Sequence, residues 1–395
     1  MSTIDLTTMS EFAKIPLLRR IIELLEEQED NLSKRSIASM IGVNRETVRL
    51  LFKEKRPVTL DVLEKIAKGL SITVDRIRQL DSIKREKELN KVLTGNKRTR
   101  VMLMRALDLA TELVELSLGV TERGYALNNL GRVLYVQGEY NKAHDIWLSA
   151  LDFAKSIQRE HNDSQLLHIV TANLMLTYTI RKEYSNIESI FHIVEQAFPD
   201  HPKAMGQCFY TKMKMEEERG NLELAREYSY NSLEHFSKTD DDKQIGKAFF
   251  NVAYYEFLLG SFKKSLNLLS TSIEYLRDFD DLLIRCVKDY VKCLMKLRDH
   301  ETAIRVVEEY SELAREYPEY RAKLRIMYAV AKDDPSIADY VMKDTSLSVN
   351  TRYIASKCLL EYHYSKGDSD SAMRYYEMVR IFSSTKSGYL DEEGL

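Results

Sequence analysis

Between Lys34 and Arg56 the chain gathers side chains suited to duplex DNA. Asn44, Arg45, Thr47 and Arg49 carry amide, guanidinium and hydroxyl groups able to pair with base edges, and Glu46 adds an acceptor among them. Lys34, Lys53, Lys55 and Arg56 supply cations for phosphates. Val48, Leu51 and Phe52 fall on the opposite side of the helix predicted here. An apolar back and a cation-rich N-terminal front are what entry into a major groove requires. Residues 31–60 hold seven Lys or Arg against two Asp or Glu. Residues 1–100 carry a net charge of +6 and residues 101–395 a net of −9, an asymmetry that the overall −3 conceals. Attraction to a polyanion is therefore expected at the amino-terminal head alone.

The elements that must position those side chains are legible around them. Residues 32–77 split into four short helical patterns. Gly42 joins the second to the third, because glycine accepts the left-handed turn at little cost. Asn44 caps the third. Leu63, Ile66, Ala67 and Leu70, then Val74 and Ile77, close the module with apolar spacing. Residues 77–93 follow as a charged helix with Ile77, Leu80 and Ile83 on one stripe, and residues 94–100 read as a break with three cations. A solvated linker and a dimer seam or phosphate-contacting arm are both open for this stretch.

The rest reads as a helical array. Gly occurs 14 times and Pro 6 times in 395 residues, too few for many tight turns. The clearest unit is 123–151, with Leu127, Leu130, Gly131 and Leu134 in a first helix, Gly138 and Tyr140 at a turn, and Ala143, Trp147 and Ala150 in a second. This spacing resembles the tetratricopeptide repeat, in which small residues let two antiparallel helices approach. Looser copies follow at Gly220 before Ala225, Gly260 before Ser265, Asp299 before Ala303 and Gly367 before Ala372. Tyr184 leads to a stop at Pro199, and Pro335 opens a second helix near Ala338. The marks at 225, 265 and 303 stand 40 and 38 residues apart, longer than the usual 34, so the array is degenerate. Each pair has an apolar face that only a neighbour can cover, so the units must stack.

That resemblance implies a right-handed superhelix whose first helices line a concave groove suited to extended peptides. On it, Tyr125, Asn128, Arg132 and Tyr135 fall on the inner face, followed by Asn173 and Tyr178, by Tyr210 and Lys214, by Asn251, Tyr254 and Phe257, and by Lys288 and Lys292. For any one of these residues, packing between helices is the competing explanation, since 23 tyrosines serve a chain of this length.

Other chemistry is not indicated. GxxxxGK[ST], GxSxG and HExxH are absent, and the eight histidines do not pair at metal spacing. No enzyme, cofactor or metal is expected. Cys208, Cys286, Cys293 and Cys358 are scattered without CxxC pairs and read as reduced thiols. No apolar run reaches bilayer length, and the residues after Met1 show no secretory pattern, so a cytoplasmic protein is expected.

Residues 32–77 resemble the Cro/C1 (Xre-like) helix-turn-helix through Leu32–Ser33, Ile37–Ala38, Gly42–Val43, Arg45, Thr47 and Val48. Lys34 stands where that family often has Gln, so base preference does not transfer. Such a head before degenerate tetratricopeptide repeats resembles the RRNPP receptors of Gram-positive bacteria and their mobile elements. The resemblance implies an all-α chain: a DNA-binding domain at 1–78, a linker helix at 79–100 and a repeat domain at 101–395 for peptide binding and dimerisation. It implies a cytoplasmic regulator whose operator binding answers to a short signalling peptide, acting as a homodimer joined through the array, with no membrane. Residues 220–236 and 352–379 are similar in flavour to the phage arbitrium receptors, a narrower resemblance that would imply control of lysogeny. Two alternatives stay open: a repressor whose repeats serve only oligomerisation or partner proteins, and a Rap-like scaffold whose head contacts protein.

Overall fold

The computed structural model describes residues 15–27, 34–53, 58–95 and 98–383, and these are all-helical. The head holds α1 (Leu17–Glu27), α2 (Lys34–Ile41), α3 (Arg45–Phe52), α4 (Leu60–Gly69) and α5 (Val74–Ile77). Ile21, Leu25, Ile37, Val48, Leu51, Leu63, Ile66 and Ile77 bury into one core, so every head helix contributes to it. Gly42 turns the chain between α2 and α3 at φ +66, a conformation that costs other L residues roughly 1–2 kcal/mol. The amides of Gly42 and Val43 close that turn on the carbonyls of Ser39 (3.3 Å) and Ala38 (3.0 Å).

Next come α6 (Leu80–Thr94), α7 (Arg100–Leu116), α8 (Gly119–Val136), α9 (Tyr140–His161), α10 (Gln165–Arg181) and α11 (Ile187–Ala197), then α12 (Pro202–Glu218). Two compact units divide within α12, residues 1–211 and residues 212–395. In the first unit α8 and α9 form the most extensive hairpin. Trp147, fully buried on α9, lies over Gly131 of α8 so tightly that a Cβ there would strike the indole. Its Nε1 donates to the Asn128 carbonyl at 3.2 Å. Leu89, Val92 and Leu93 of α6 bury with Leu109, Ala110 and Val133, so the helix after the head has one packed face.

The second unit holds α13 (Leu222–Phe236), α14 (Asp242–Leu258), α15 (Phe262–Tyr275), α16 (Asp280–Lys296), α17 (His300–Glu309), α18 (Ser311–Arg315), α19 (Pro318–Lys332), α20 (Pro335–Lys343), α21 (Val349–Ser365) and α22 (Ser369–Phe382). Helices α14–α15, α16–α17, α19–α20 and α21–α22 pack as successive hairpins. The small residues expected at the crossings are buried there: Ala225, Ser265, Ala303, Ala338 and Ala372. Ser265 also donates to the Ala253 carbonyl at 2.7 Å, a bond that alanine at the same mark could not make. Pro335 is the first residue of α20, and α11 stops at Ala197 before Pro199. Cys208, Cys286 and Cys293 are buried and Cys358 is half-buried, and none of the four is in a disulfide.

Candidate nucleic-acid interface

The front of α3 starts from its cap. The Asn44 side chain accepts from the Thr47 amide at 2.7 Å and so fixes where the helix begins. Arg45, Glu46, Arg49 and Lys53 are exposed, whereas Val48 and Leu51 are fully buried behind them. Thr47 is also buried, 4% exposed, and faces the head rather than solvent. Arg49 Nε donates to Glu46 Oε2 at 2.7 Å. That hydrogen bond from Arg49 holds the Glu46 carboxyl below the usual carboxylate range. A fully exposed pair of this kind contributes little to stability and parts readily. The side chain of Lys34, and Lys55 and Arg56 entirely, lie outside the described residues.

The underside of the head is built on the opposite principle. Glu122, in the first turn of α8 and buried, accepts from Arg20 of α1 at 2.8 Å and from Arg76 of α5. It also takes the Leu118 amide at 2.8 Å. Arg20 further donates to the Leu118 carbonyl, and Arg76 donates to the Leu116 carbonyl at 2.7 Å and to Asp81 at 2.9 Å. Beside this knot, Arg19 joins Glu23 (3.0 Å), Thr121 (2.6 Å) and Asp163 (2.9 Å), and the Thr121 amide donates to Glu23 at 3.0 Å. Glu27 takes the Gly119 amide and the Arg123 guanidinium. Two head helices are thus tied to the start of α8, and at the centre of these contacts Arg20, Arg76, Glu23 and Glu122 scarcely meet water.

The ionisation states follow from these contacts. Burial pushes Glu122 up, but the hydrogen bond from Arg76 and the charges of Arg20 and Arg76 outweigh it and hold the carboxyl below its ordinary range. Burial dominates at Arg20 and lowers it, with Glu122 opposing. Glu86 of α6, buried near the same knot, is pushed up to about 9 by burial and then by the Glu122 charge, so it is protonated at neutral pH. None of these groups stood out in the sequence. Each looked like an ordinary charge on a helix, and only the fold brings together positions 20, 76 and 122.

The residues expected to line a groove separate into two kinds. In the first unit several are spent on one another. Asn173 Nδ2 donates to Asn128 Oδ1 at 2.9 Å, both buried. Arg132, 4% exposed, donates to Asn129 Oδ1 at 3.0 Å and Asn90 Oδ1 at 3.3 Å, and burial, then Arg98, pushes it down to about 10. Tyr135 tilts against Tyr140 and Trp147, and burial, followed by Tyr140 and Tyr210, pushes its phenol up to about 12. Tyr125 is buried, and Tyr178 sets its ring edge-on to His144 at 4.6 Å. Tyr210 is half-buried.

In the second unit the candidates are more open. Lys214 pairs with Glu217 at 2.6 Å, Tyr254 stands beside that pair and is 41% exposed, and Asn251 is half-buried on the same helix. Exposed Lys292 lies 4.3 Å above the Phe257 ring, and Lys288 pairs with Asp289. A cavity of about 660 Å³ in this unit is lined instead by Arg315, Arg321, Arg325, Leu324, Tyr328 and Tyr340 among others, positions that the repeat pattern did not single out. Among the described residues no three His, Cys, Asp or Glu side chains are arranged to hold a metal ion, and no helix is long and apolar enough to cross a membrane.

Residues 21–77 match the model of the helix-turn-helix family. Among solved structures, the apo form of RapI superposes with a TM-score of 0.60 at 14% identity, covering 93% of this chain and 97% of RapI. A Rap protein complexed with Competence and Sporulation Factor gives 0.51 at 13% identity, over 93% and 96% of the two chains. A STAND protein with a tetratricopeptide-repeat sensor from Pyrococcus horikoshii gives 0.52 at 13%, over 93% of this chain and 65% of that one. No curated protein sequence matches the chain. The narrower resemblance to arbitrium receptors gains no support from these relatives. Residues 21–77 are thus a helix-turn-helix domain on a chain with the Rap-like repeat fold, the architecture that the resemblance to RRNPP receptors implies.

Proposed function

We propose that the chain is a transcriptional regulator that binds an operator through α3 and lets a short peptide in its repeats control that binding. The observation that carries this reading is the open, cationic front of α3, with Arg45, Arg49 and Lys53 exposed over a buried apolar back. In this reading Asn44, Arg45, Glu46 and Arg49 address base edges, and Lys53 with Lys34, Lys55 and Arg56 holds phosphates. Thr47, buried, meets no base in this reading and gives its backbone amide to the Asn44 cap. Two copies paired through their repeats present two heads to successive major grooves, in the cytoplasm where operators lie. The peptide half draws support from the repeat fold shared with a Rap protein that was solved with its signalling factor. The more open candidates for contact with a peptide are Lys214, Asn251, Tyr254 and Lys292, and Tyr135 and Tyr210 follow.

A second reading, a Rap-like scaffold whose head meets a protein, is favoured by the RapI likeness running over 93% of this chain. Titration with a long duplex at two salt concentrations separates the two. A regulator binds duplex with a steep salt slope, and a scaffold does not bind. Calorimetry against peptides encoded by a short reading frame beside the gene tests the second half. Binding of one such peptide, with a change in duplex affinity, supports the proposal, and duplex affinity indifferent to every peptide overturns it.

A further inference from the structure

We propose that Glu122 is a positioning residue for DNA reading: it clamps the head to α8 in one pose, and that pose sets how far apart two heads stand on duplex. The inference rests on the regulator reading above and goes beyond it by naming what couples body to head. The first argument is convergence. One carboxylate accepts guanidinium groups from two different head helices, Arg20 from α1 and Arg76 from α5, and both arginines also reach backbone carbonyls at the α7–α8 corner, Leu118 and Leu116. Bonds from two different helices, each arginine also held by a backbone carbonyl, restrain rotation as well as contact. A single apolar seam would leave the head free to roll.

The second argument is isolation from the reading front. The clamp uses α1 and α5, while α3 keeps Arg45, Glu46 and Arg49 exposed, so docking and reading are simultaneously satisfied. The third is mechanical continuity. α8 carries Glu122 in its first turn and Tyr135, the peptide-contact candidate this helix retains, in its last. Thirteen residues of helix separate the two, about 20 Å of rigid rod. Movement of α8 in response to a ligand therefore moves the clamp, and the head with it.

The test uses the full-length chain in four forms: wild type, Glu122→Gln, Glu122→Asp, and Glu122→Leu combined with Arg20→Met and Arg76→Met. The triple change removes the three buried charges together and leaves only Asp81, a third exposed, without its arginine, so no buried ion is stranded. Amide hydrogen exchange reports docking. In Glu122→Gln, the amides of Leu118, Gly119 and Thr121, which bond to the carboxylates of Glu122, Glu27 and Glu23, are expected to exchange at least about tenfold faster while α1 and the α2–α3 core keep their protection, because docking opens without unfolding the head. Selection from a random duplex library then reports pose. Wild type is expected to recover two half-sites at one spacing, with spacings two base pairs longer or shorter bound at least about tenfold more weakly. Glu122→Gln and the triple variant are expected to recover the same half-site with that preference reduced below about threefold, and Glu122→Asp to restore part of it. If the triple variant, once shown to be folded, keeps the wild-type spacing preference, the knot is structural and the proposal falls. If wild type recovers no site at all, the regulator reading itself fails, whatever the exchange data say.

Discussion

The two faces of the head treat charge in opposite ways. On the front of α3, Glu46 and Arg49 pair in open solvent, where water competes for both partners and little is lost when they part. On the underside, Arg20, Arg76 and Glu122 pair almost out of contact with water, where separating them strands ions that nothing else can solvate. The contrast teaches which charges are available to a ligand. Exposed pairs can exchange partners with a polyanion, whereas buried ones define geometry and exchange nothing.

The most severe way to break this contrast is Glu122→Ala. It leaves two buried guanidinium groups without their carboxylate and is expected to cost about 3–5 kcal/mol in urea unfolding of the first unit. Glu86→Gln probes the same knot through pH. A carboxyl whose folded value is about 9, against an ordinary value near 4.5, binds more protons folded than unfolded. Wild-type stability should therefore fall as pH rises from about 4.5 to about 9, and the Gln variant, which mimics the neutral acid, should flatten that fall and be the more stable at pH 8. On the front, Arg49→Ala should leave the unfolding midpoint unchanged and cost about tenfold in preference for operator over random duplex. Lys53→Ala should weaken both duplexes alike and lower the salt slope by about one. Glu46→Gln is expected to do least: an unaltered unfolding midpoint, with affinity for random duplex slightly raised as one negative charge leaves the front.

The front was legible in the sequence and the underside was not, for a physical reason. Gly42, Asn44, Val48 and Leu51 act over a few residues of chain, where turn chemistry and helical spacing determine placement. The repeat marks Gly131, Trp147, Ser265 and Ala303 were legible likewise, because close helix crossings demand small partners at fixed intervals. Arg20, Arg76 and Glu122 meet across 102 and 46 residues of chain, and no local pattern encodes that meeting. Asn128 and Asn173 show the converse failure. As side-chain amides on inward helices they look like peptide ligands, yet an amide serves a neighbouring amide equally well, and here the two satisfy each other. The helix after the head reads from sequence as either linker or seam, because its charged composition hides the buried Leu89, Val92 and Leu93.

The chain has one tryptophan, and it lies at the α8–α9 crossing. Emission excited at the red edge of aromatic absorption therefore comes from a single place in 395 residues, an indole sealed against Gly131 and bonded to the Asn128 carbonyl. The intact, unlabelled molecule carries its own optical gauge on α9, pressed against the very rod that holds the head. Wavelength and quenching of that one fluorophore register any slippage of the rod, in titrations with duplex and with peptide alike.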